Sequence, residues 1–157
     1  MTPVVIAFGS NLGDRAETIL AAAREIADLP GVELTAVSTL HETPALKPHG
    51  VDLAAPAYLN AIAIVETDLD PHDLLVQLRQ IEQQHGRVRE ERWGDRTLDL
   101  DIIDADGAEL TTETLTLPHP RAHELAFVLA PWLEVDGDAV LSGQRVDRLL
   151  AELESAR

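Results

Sequence analysis

Hydrophobic positions recur along this chain at two spacings, one typical of helices and the other of strands. Spacings of three and four residues predict two long helices. Their apolar faces are Ile19, Leu20, Ala23, Ile26 and Ala27 in the first helix and Leu74, Leu75, Leu78 and Ile81 in the second. Asp14 with Glu17 forms the pattern of a capping box, and Asp70 precedes a proline that suits the first turn of a helix. We therefore expect the helices to begin just after Asp14 and Asp70.

Short β-prone segments surround these two helices. Strands are predicted at residues 4–8, 32–42, 58–67 and 98–103. The resulting order of strand, helix, strand, strand, helix, strand predicts an α+β protein with a ferredoxin-like βαββαβ core. Beyond this core we expect an additional C-terminal strand near 115–117 and helices across 121–129 and 146–153.

Residues 44–56 separate the second predicted strand from the third. They contain three prolines, one glycine and Lys47, the only lysine of the chain. We expect a long loop there, of the kind that often carries function. The whole chain has 157 residues, of which 45% are hydrophobic. That length suits a single domain spanning 1–157, which can bury about 70% of its unfolded surface.

The charge of the chain is strongly negative but unevenly distributed. Its 28 acidic and 12 basic residues give a formal net charge of −16. Such a charge argues against a nucleic-acid partner or an anionic membrane surface. Four of the 12 basic residues nevertheless fall within positions 87–96. This concentration indicates a small anionic ligand, and we infer no obligate protein partner.

Cysteine is absent from the chain. We therefore expect no disulfide framework and no thiolate chemistry, and a cytoplasmic location is the default prediction. A signal peptide is not expected, because the N-terminus has no basic n-region and no long apolar run. A membrane-spanning segment is not expected either, because nothing elsewhere approaches about 18 consecutive apolar residues.

Asp99 and Asp101 stand two residues apart in a predicted strand. Because side chains alternate between the faces of a strand, both carboxylates should emerge on one face, about 6.5–7 Å apart. Mg²⁺ suits such a pair, since it takes oxygen ligands and completes its shell with water and phosphate. The arginines just before the pair are Arg87, Arg89, Arg92 and Arg96. The pattern indicates a site for Mg²⁺-bound polyphosphate; the alternative is a solvated strand face whose charge the arginines neutralise.

Three other features have both a structural and a functional interpretation. Residues 9–13 could hold a phosphate at a helix N-terminus or form a structural turn, and they match neither a P-loop nor a dinucleotide fingerprint. The Pro-flanked segment with His119 and Arg121 could contact a phosphate or lie in a surface turn. The aromatic side chains of Tyr58, Trp93 and Phe127 could cap the core or stack on a flat heteroaromatic ligand.

Five blocks of sequence carry a family resemblance. They are Gly9-Ser10-Asn11-Leu12-Gly13-Asp14, Tyr58-Leu59-Asn60-Ala61, Gly86-Arg87-Val88-Arg89, Arg92-Trp93-Gly94-Asp95-Arg96-Thr97-Leu98-Asp99-Leu100-Asp101, and Leu117-Pro118-His119-Pro120-Arg121-Ala122-His123-Glu124 with Ala126-Phe127-Val128-Leu129. In this order they resemble the 6-hydroxymethyl-7,8-dihydropterin pyrophosphokinases of folate biosynthesis. The resemblance covers about residues 4–135, and its specificity comes from the five blocks together.

The resemblance implies transfer of a diphosphoryl group from ATP to the hydroxymethyl group of the pterin, with release of AMP. Asp99 and Asp101 would hold two Mg²⁺ ions, and Asp99 would also orient the substrate hydroxyl or accept its proton. The other implied residues are the catalytic loop arginines Arg87 and Arg96; the pterin contacts Thr43, Leu46, Tyr58, Asn60, Trp93 and Phe127; and the ATP contacts Arg89, Arg92, His119 and Arg121. Metals together with arginines would neutralise the transferring group and hold an in-line approach.

The chain departs from the pattern of this family at three places. Leu125 stands where members usually carry an arginine, and Thr114 stands where some members carry one. In Arg89-Glu90-Glu91-Arg92, acids stand where some members carry a lysine. Each change removes positive charge near the triphosphate, for which Arg121 or Lys47 could substitute. Two alternatives therefore stay open: a non-catalytic paralogue that binds nucleotide or pterin, and a metal-dependent nucleotidyltransferase.

Overall fold

The structure is a computed structural model that describes residues 1–11, 13–43, 45–47, 50–52, 57–86 and 98–156. For residues 45–47 and 50–52 it describes the backbone alone. Within these ranges, no helix combines the length and the apolar character needed to cross a membrane.

Helices are interspersed with strands along the chain. The strands are β1 (Thr2–Ser10), β2 (Val32–Val37), β3 (His41–Thr43), β4 (Ala45–Lys47), β5 (Gly50–Asp52), β6 (Tyr58–Thr67), β7 (Asp99–Ala105), β8 (Leu110–Thr111), β9 (Thr116–Leu117), β10 (Val140–Leu141) and β11 (Gln144–Arg145). The helices are α1 (Arg15–Ala27), α2 (Pro71–Gln84), α3 (Ala126–Val135) and α4 (Val146–Ser155), with a 3₁₀ helix at Ala122–Glu124. The protein is therefore a mixed helix and sheet structure.

The two long helices begin where their caps predict. The Asp14 carboxylate accepts a hydrogen bond from the Glu17 backbone N–H at 3.2 Å, and the Asp70 carboxylate accepts one from the His72 N–H at 2.9 Å. Each aspartate thereby satisfies a donor that the first turn of a helix leaves unpaired. Both predicted helix starts are confirmed.

The buried faces of these helices agree with the prediction in α2 and only partly in α1. In α2 the four predicted side chains are buried, and Glu82 is buried beside them. In α1 the buried residues are Ile19, Ala22, Ala23 and Ile26. The prediction was wrong for Leu20, which is 44% exposed, and for Ala27. Both lie at the edge of the stripe that spacings of three and four residues define.

The main sheet is antiparallel and runs in the order β2-β6-β1-β7, with β3 also paired to β6. The predicted segment 32–42 is thus two strands. Between them, the Ser38 hydroxyl accepts a hydrogen bond from the Ile62 N–H at 2.9 Å, and the Ser38 N–H donates to the Ile62 carbonyl at 2.8 Å. Ser38 therefore holds the segment that joins β2 to β3 against β6.

Two further predictions need correction. The segment 44–56 was predicted as a loop, but β4 and β5 pair within it as an antiparallel hairpin, with Leu46 opposite Val51. The helix predicted across 121–129 is a 3₁₀ turn followed by α3, with Leu125 in an extended conformation between them. The Leu125 carbonyl accepts hydrogen bonds from the N–H groups of Val128 and Leu129, so α3 begins anew after it.

Buried hydrophobic side chains of the described residues lie on both faces of the main sheet. On one face, Val4, Ile6 and Phe8 of β1 pack with residues of α1 and α2. On the other face, Val5 of β1, Ile62 of β6 and Ile103 of β7 pack with residues of α3 and α4. The sheet therefore separates two helical layers.

Candidate active site

Asp99 and Asp101 lie on the face of β7 that looks toward α3. Leu98, Leu100 and Ile102, which alternate with them, are buried in the core beneath α1 and α2. Gly9 of β1 stands opposite Asp99, and Ala7 stands opposite Asp101. Both aspartates are partly exposed. The structure thus brings the two carboxylates to one accessible face, as strand alternation predicts.

Leu100, between the two aspartates, is held from the side by α2. The Glu82 carboxylate accepts a hydrogen bond from the Leu100 N–H at 2.8 Å, and Arg79 donates one to the Leu100 carbonyl at 2.8 Å. Arg79 and Glu82 also form an ion pair at 3.0 Å. Both peptide groups of Leu100 at the open edge of β7 are therefore satisfied by side chains.

Arg79 also brings positive charge to the aspartate pair. Its guanidinium lies 3.9 Å from Oδ1 of Asp101. Neither Arg79 nor Glu82 was predicted as a site residue. One signal was available, because Glu82 follows Leu78 by four residues and so falls on the buried stripe of α2, where an unpaired carboxylate would be costly.

Gly9 lies close to three of the predicted site residues. A β-carbon placed on Gly9 would lie 3.5 Å from Oδ1 of Asn60 and 3.7 Å from the ring of Tyr58. It would lie 3.9 Å from the β-carbon of Asp99. The structure therefore gathers Tyr58, Asn60 and Asp99 around one backbone position, where β1 pairs with both β6 and β7.

Thr43 joins this group through Asn60. The Asn60 side-chain amide donates a hydrogen bond to Oγ1 of Thr43 at 2.7 Å. It also lies 3.5 Å from the His41 carbonyl oxygen. Thr43 stands opposite Tyr58 in the ladder of β3 and β6. Three of the predicted pterin contacts are thus neighbours.

Phe127 approaches the same face from α3. It lies in the first turn of that helix and is partly buried. The helix that carries Phe127 packs against β6, the strand that bears Tyr58 and Asn60. Stacking of a ligand between Tyr58 and Phe127 stays a prediction.

His119 lies close enough to Asp99 for the charge of that carboxylate to act on it, in an environment that disfavours its own charged form. Its backbone N–H donates to the Ile103 carbonyl of β7 at 2.8 Å. Burial lowers the pKa of His119, the negative charge of Asp99 opposes that effect, and the positive charge of Arg121 adds to it. Arg121 itself is exposed and pairs with Glu124 at 3.4 Å.

Several predicted site residues lie outside the described part of the chain. These are Arg87, Arg89, Arg92, Trp93 and Arg96. The backbone of Leu46 lies in β4, but its side chain is not among those described. The roles assigned to these six residues stay predictions.

The sequence from residue 5 to residue 137 matches the family described as 7,8-dihydro-6-hydroxymethylpterin-pyrophosphokinase, abbreviated HPPK. This chain belongs to the HPPK family. The family membership predicted from the five sequence blocks is thereby confirmed.

Curated relatives named 2-amino-4-hydroxy-6-hydroxymethyldihydropteridine pyrophosphokinase resemble the chain over nearly its whole length. The HPPK relative from Methylorubrum extorquens is 40% identical over 154 residues, which cover 98% of this chain and 95% of the relative. The relative from Mycobacterium leprae is 45% identical over 169 residues, covering 98% of this chain and 84% of its own. The relative from Haemophilus influenzae is 39% identical, covering 93% and 89%.

Solved HPPK-DHPS structures share the fold at low sequence identity. A Plasmodium falciparum HPPK-DHPS structure with pteroate has a TM-score of 0.75 at 14% identity and matches 98% of this chain but 42% of the solved chain. A second HPPK-DHPS structure, described as in complex with substrates, has a TM-score of 0.73 at 12% identity, covering 99% and 44%. The chain thus spans less than half of these solved chains, and the likeness concerns the fold alone.

Proposed function

We propose that this HPPK-family chain transfers the diphosphoryl group of ATP to the hydroxymethyl group of 6-hydroxymethyl-7,8-dihydropterin, giving the pterin diphosphate and AMP in folate biosynthesis. The observation that supports this function most directly is the family match over residues 5–137. The chain is a transferase of the pyrophosphokinase type, as its relatives at about 40% identity are named. A non-catalytic paralogue is not favoured.

Transfer of a diphosphoryl group requires neutralisation of phosphate charge and a fixed line of approach for the hydroxyl. The group of Gly9, Tyr58, Asn60 and Asp99 supports this assignment, because it places polar and aromatic side chains beside a carboxylate. In our proposal Asp99 orients the substrate hydroxyl or accepts its proton.

We assign a divalent cation to Asp99 and Asp101, and specifically two Mg²⁺ ions. Among the described residues, no group of three or more His, Cys, Asp or Glu side chains could hold a metal ion. The pair nevertheless fits Mg²⁺, which binds through one or two protein carboxylates when phosphate and water complete its shell. When bound, the ions supply positive charge to the phosphate oxygens.

The pterin slot is assigned to Thr43, Leu46, Tyr58, Asn60, Trp93 and Phe127. Of the described members, Thr43 lies in β3, Tyr58 and Asn60 lie in β6, and Phe127 lies in the first turn of α3. A flat ring stacked between Tyr58 and Phe127 would present its edge to Asn60 and Thr43, whose polar groups already meet at 2.7 Å.

We assign ATP to the side of the site opposite the pterin slot. Its phosphate contacts would be Arg89, Arg92, His119 and Arg121, and the catalytic arginines would be Arg87 and Arg96. The proximity of His119 to Asp99 supports this arrangement. Burial lowers the pKa of His119 and so favours the neutral imidazole, which can offer a hydrogen bond without adding charge.

We further infer a ferredoxin-like core in a single domain spanning 1–157. The order β2-β6-β1-β7, with α1 after β1 and α2 after β6, supports it. The only partners we assign are the two substrates. We assign no nucleic acid, no membrane and no obligate protein partner. The cytoplasmic location stays a prediction from the sequence.

Product analysis tests the proposed function. Purified protein mixed with ATP, Mg²⁺ and 6-hydroxymethyl-7,8-dihydropterin should form AMP and the pterin diphosphate in equal amounts, as seen by chromatography. Omission of the pterin is the control and should leave ATP intact. Free pyrophosphate would indicate a nucleotidyltransferase, and tight binding of both ligands without AMP would indicate the non-catalytic paralogue.

A further inference from the structure

Glu134, near the C-terminal end of α3, binds the segment that leads into β3. One carboxylate oxygen accepts a hydrogen bond from the Thr39 backbone N–H at 2.6 Å. The other accepts one from the Thr39 hydroxyl at 2.8 Å and lies 2.9 Å from Nε2 of His41. These contacts lower the pKa of Glu134 to about 2, with the His41 hydrogen bond as the largest cause. The carboxylate is thus charged at neutral pH.

The segment held by Glu134 carries one edge of the proposed pterin slot. His41 stands opposite Asn60, and Thr43 stands opposite Tyr58, in the ladder of β3 and β6. Thr43 also accepts the hydrogen bond from Asn60. A shift of β3 would therefore move Thr43 and release the amide of Asn60.

The helix that carries Glu134 also carries Phe127, which we assign to the pterin slot. Phe127 and Glu134 are seven residues apart in α3, so they lie on the same side of the helix. The side chains of His41 and Glu134 are 31% and 34% exposed, which shields their contact partly from water. One side of α3 therefore bears both the ring and the anchor to β3.

β3 depends on such an anchor because it is short. It has three residues and pairs with β6. A strand of this length contributes few ladder hydrogen bonds, so side-chain contacts from another element have a large share in its placement.

We propose that Glu134 is a positioning residue for the pterin slot, which sets the separation between Phe127 on α3 and Thr43 on β3 through its contacts with Thr39 and His41. The inference rests on the proposed function, because the ligand of the slot is the pterin. Glu134 acts through its neighbours and is not assigned a contact with either substrate.

The test compares two matched carboxylate-to-amide variants. Glu134→Gln keeps the size of the side chain but removes its charge and one acceptor, whereas Asp147→Asn does the same to an exposed α4 carboxylate paired with Arg145. We expect Glu134→Gln to raise the KM for the pterin at least fivefold while kcat and the KM for ATP stay within twofold. Asp147→Asn should leave all three values unchanged.

A second measurement uses the ligand-free protein. Amide hydrogen exchange at residues 41–43 should accelerate in Glu134→Gln and not in Asp147→Asn. His41→Leu, which has no polar side-chain group, breaks the same contact from the other side, and it replaces Glu134→Gln if that variant does not fold. The double variant should show no faster exchange at residues 41–43 than Glu134→Gln alone, because both changes remove the same contact between Glu134 and His41.

An unchanged pterin KM in Glu134→Gln and His41→Leu, or equal losses for both substrates, would overturn the inference. Absence of AMP formation by the wild-type protein would instead refute the proposed function. In that case exchange at residues 41–43 still decides whether Glu134 holds β3, and unchanged exchange overturns the inference too.

Discussion

The side chain of Asn60 donates a hydrogen bond to the hydroxyl of Thr43 over 2.7 Å. The bond crosses from β6 to β3 and orders two side chains that we assign to the edge of the pterin. Asn60 is buried, so its orientation depends on this partner and on the His41 carbonyl.

Removal of the Thr43 hydroxyl should therefore weaken pterin binding. Thr43→Val keeps the shape but loses the acceptor, which at about 0.5–1.5 kcal/mol for one hydrogen bond corresponds to a two- to tenfold rise in the dissociation constant. Thr43→Ser, the matched control, should bind like the wild type. Calorimetric titration with pterin measures both; equal affinities of the Val and Ser variants would contradict the assignment.

The ionisation of His119 should respond in opposite directions to its two charged neighbours. Because the negative charge of Asp99 raises the pKa of His119, Asp99→Asn should lower it. Because the positive charge of Arg121 lowers that pKa, Arg121→Ala should raise it. NMR titration of the imidazole of the ligand-free protein measures both shifts. Shifts of the same sign in the two variants would contradict the proximity of these groups.

The lowered pKa of His119 should also make the stability of the fold depend on pH. His119 binds a proton more weakly in the folded protein than in the unfolded chain, since its pKa lies below 6.5. Its contribution to stability is therefore present above pH 6.5 and lost as the pH falls below that value. Thermal unfolding between pH 7 and pH 5 should show a smaller loss of Tm in His119→Gln than in the wild type.

Asp101 should matter for turnover and not for folding. Asp101→Asn leaves a partly exposed strand position of similar shape but removes a proposed Mg²⁺ ligand, so we expect activity to fall by more than about 100-fold. The Tm should stay within a few degrees. AMP formation at saturating Mg²⁺ and circular dichroism measure the two effects, with Asp138→Asn, an exposed carboxylate beyond α3, as the control. Near wild-type activity would refute the metal assignment.

Glu82 should matter chiefly for stability. Glu82→Leu would leave the buried Leu100 N–H without its acceptor and Arg79 without its ion pair, which costs about 3 kcal/mol of unfolding free energy. Glu82→Gln should lose less, because its amide oxygen can still accept from Leu100. Urea unfolding measures both, with the exposed neighbour Gln83→Leu as the control. A loss below that of Gln83→Leu would contradict the role of Glu82 in holding β7.

Much of the fold could be predicted from local sequence. The caps at Asp14 and Asp70 bind backbone groups two or three residues away, so their effect depends on neighbours along the chain alone. The strand at 58–67 was predicted with its observed bounds. Asp99 and Asp101 share a face because alternation is a property of any strand.

Other features depend on residues that are distant along the chain. The division of 32–42 into β2 and β3 follows from Ser38 bonding to Ile62, 24 residues away. Glu82 binds Leu100, which lies 18 residues away along the chain. The spacing of hydrophobic residues in α2 indicates that this glutamate is buried, but it does not identify the partner.

The sequence by itself determined which residues could form the site, because residue type and strand alternation decide what chemistry a position offers. Tertiary structure decided which of them meet. Glu134 contacts His41 across 93 residues, and no periodicity or propensity relates positions so far apart. That contact exists only because α3 packs on the sheet beside β3, and such packing depends on the shape of the whole core rather than on any local segment.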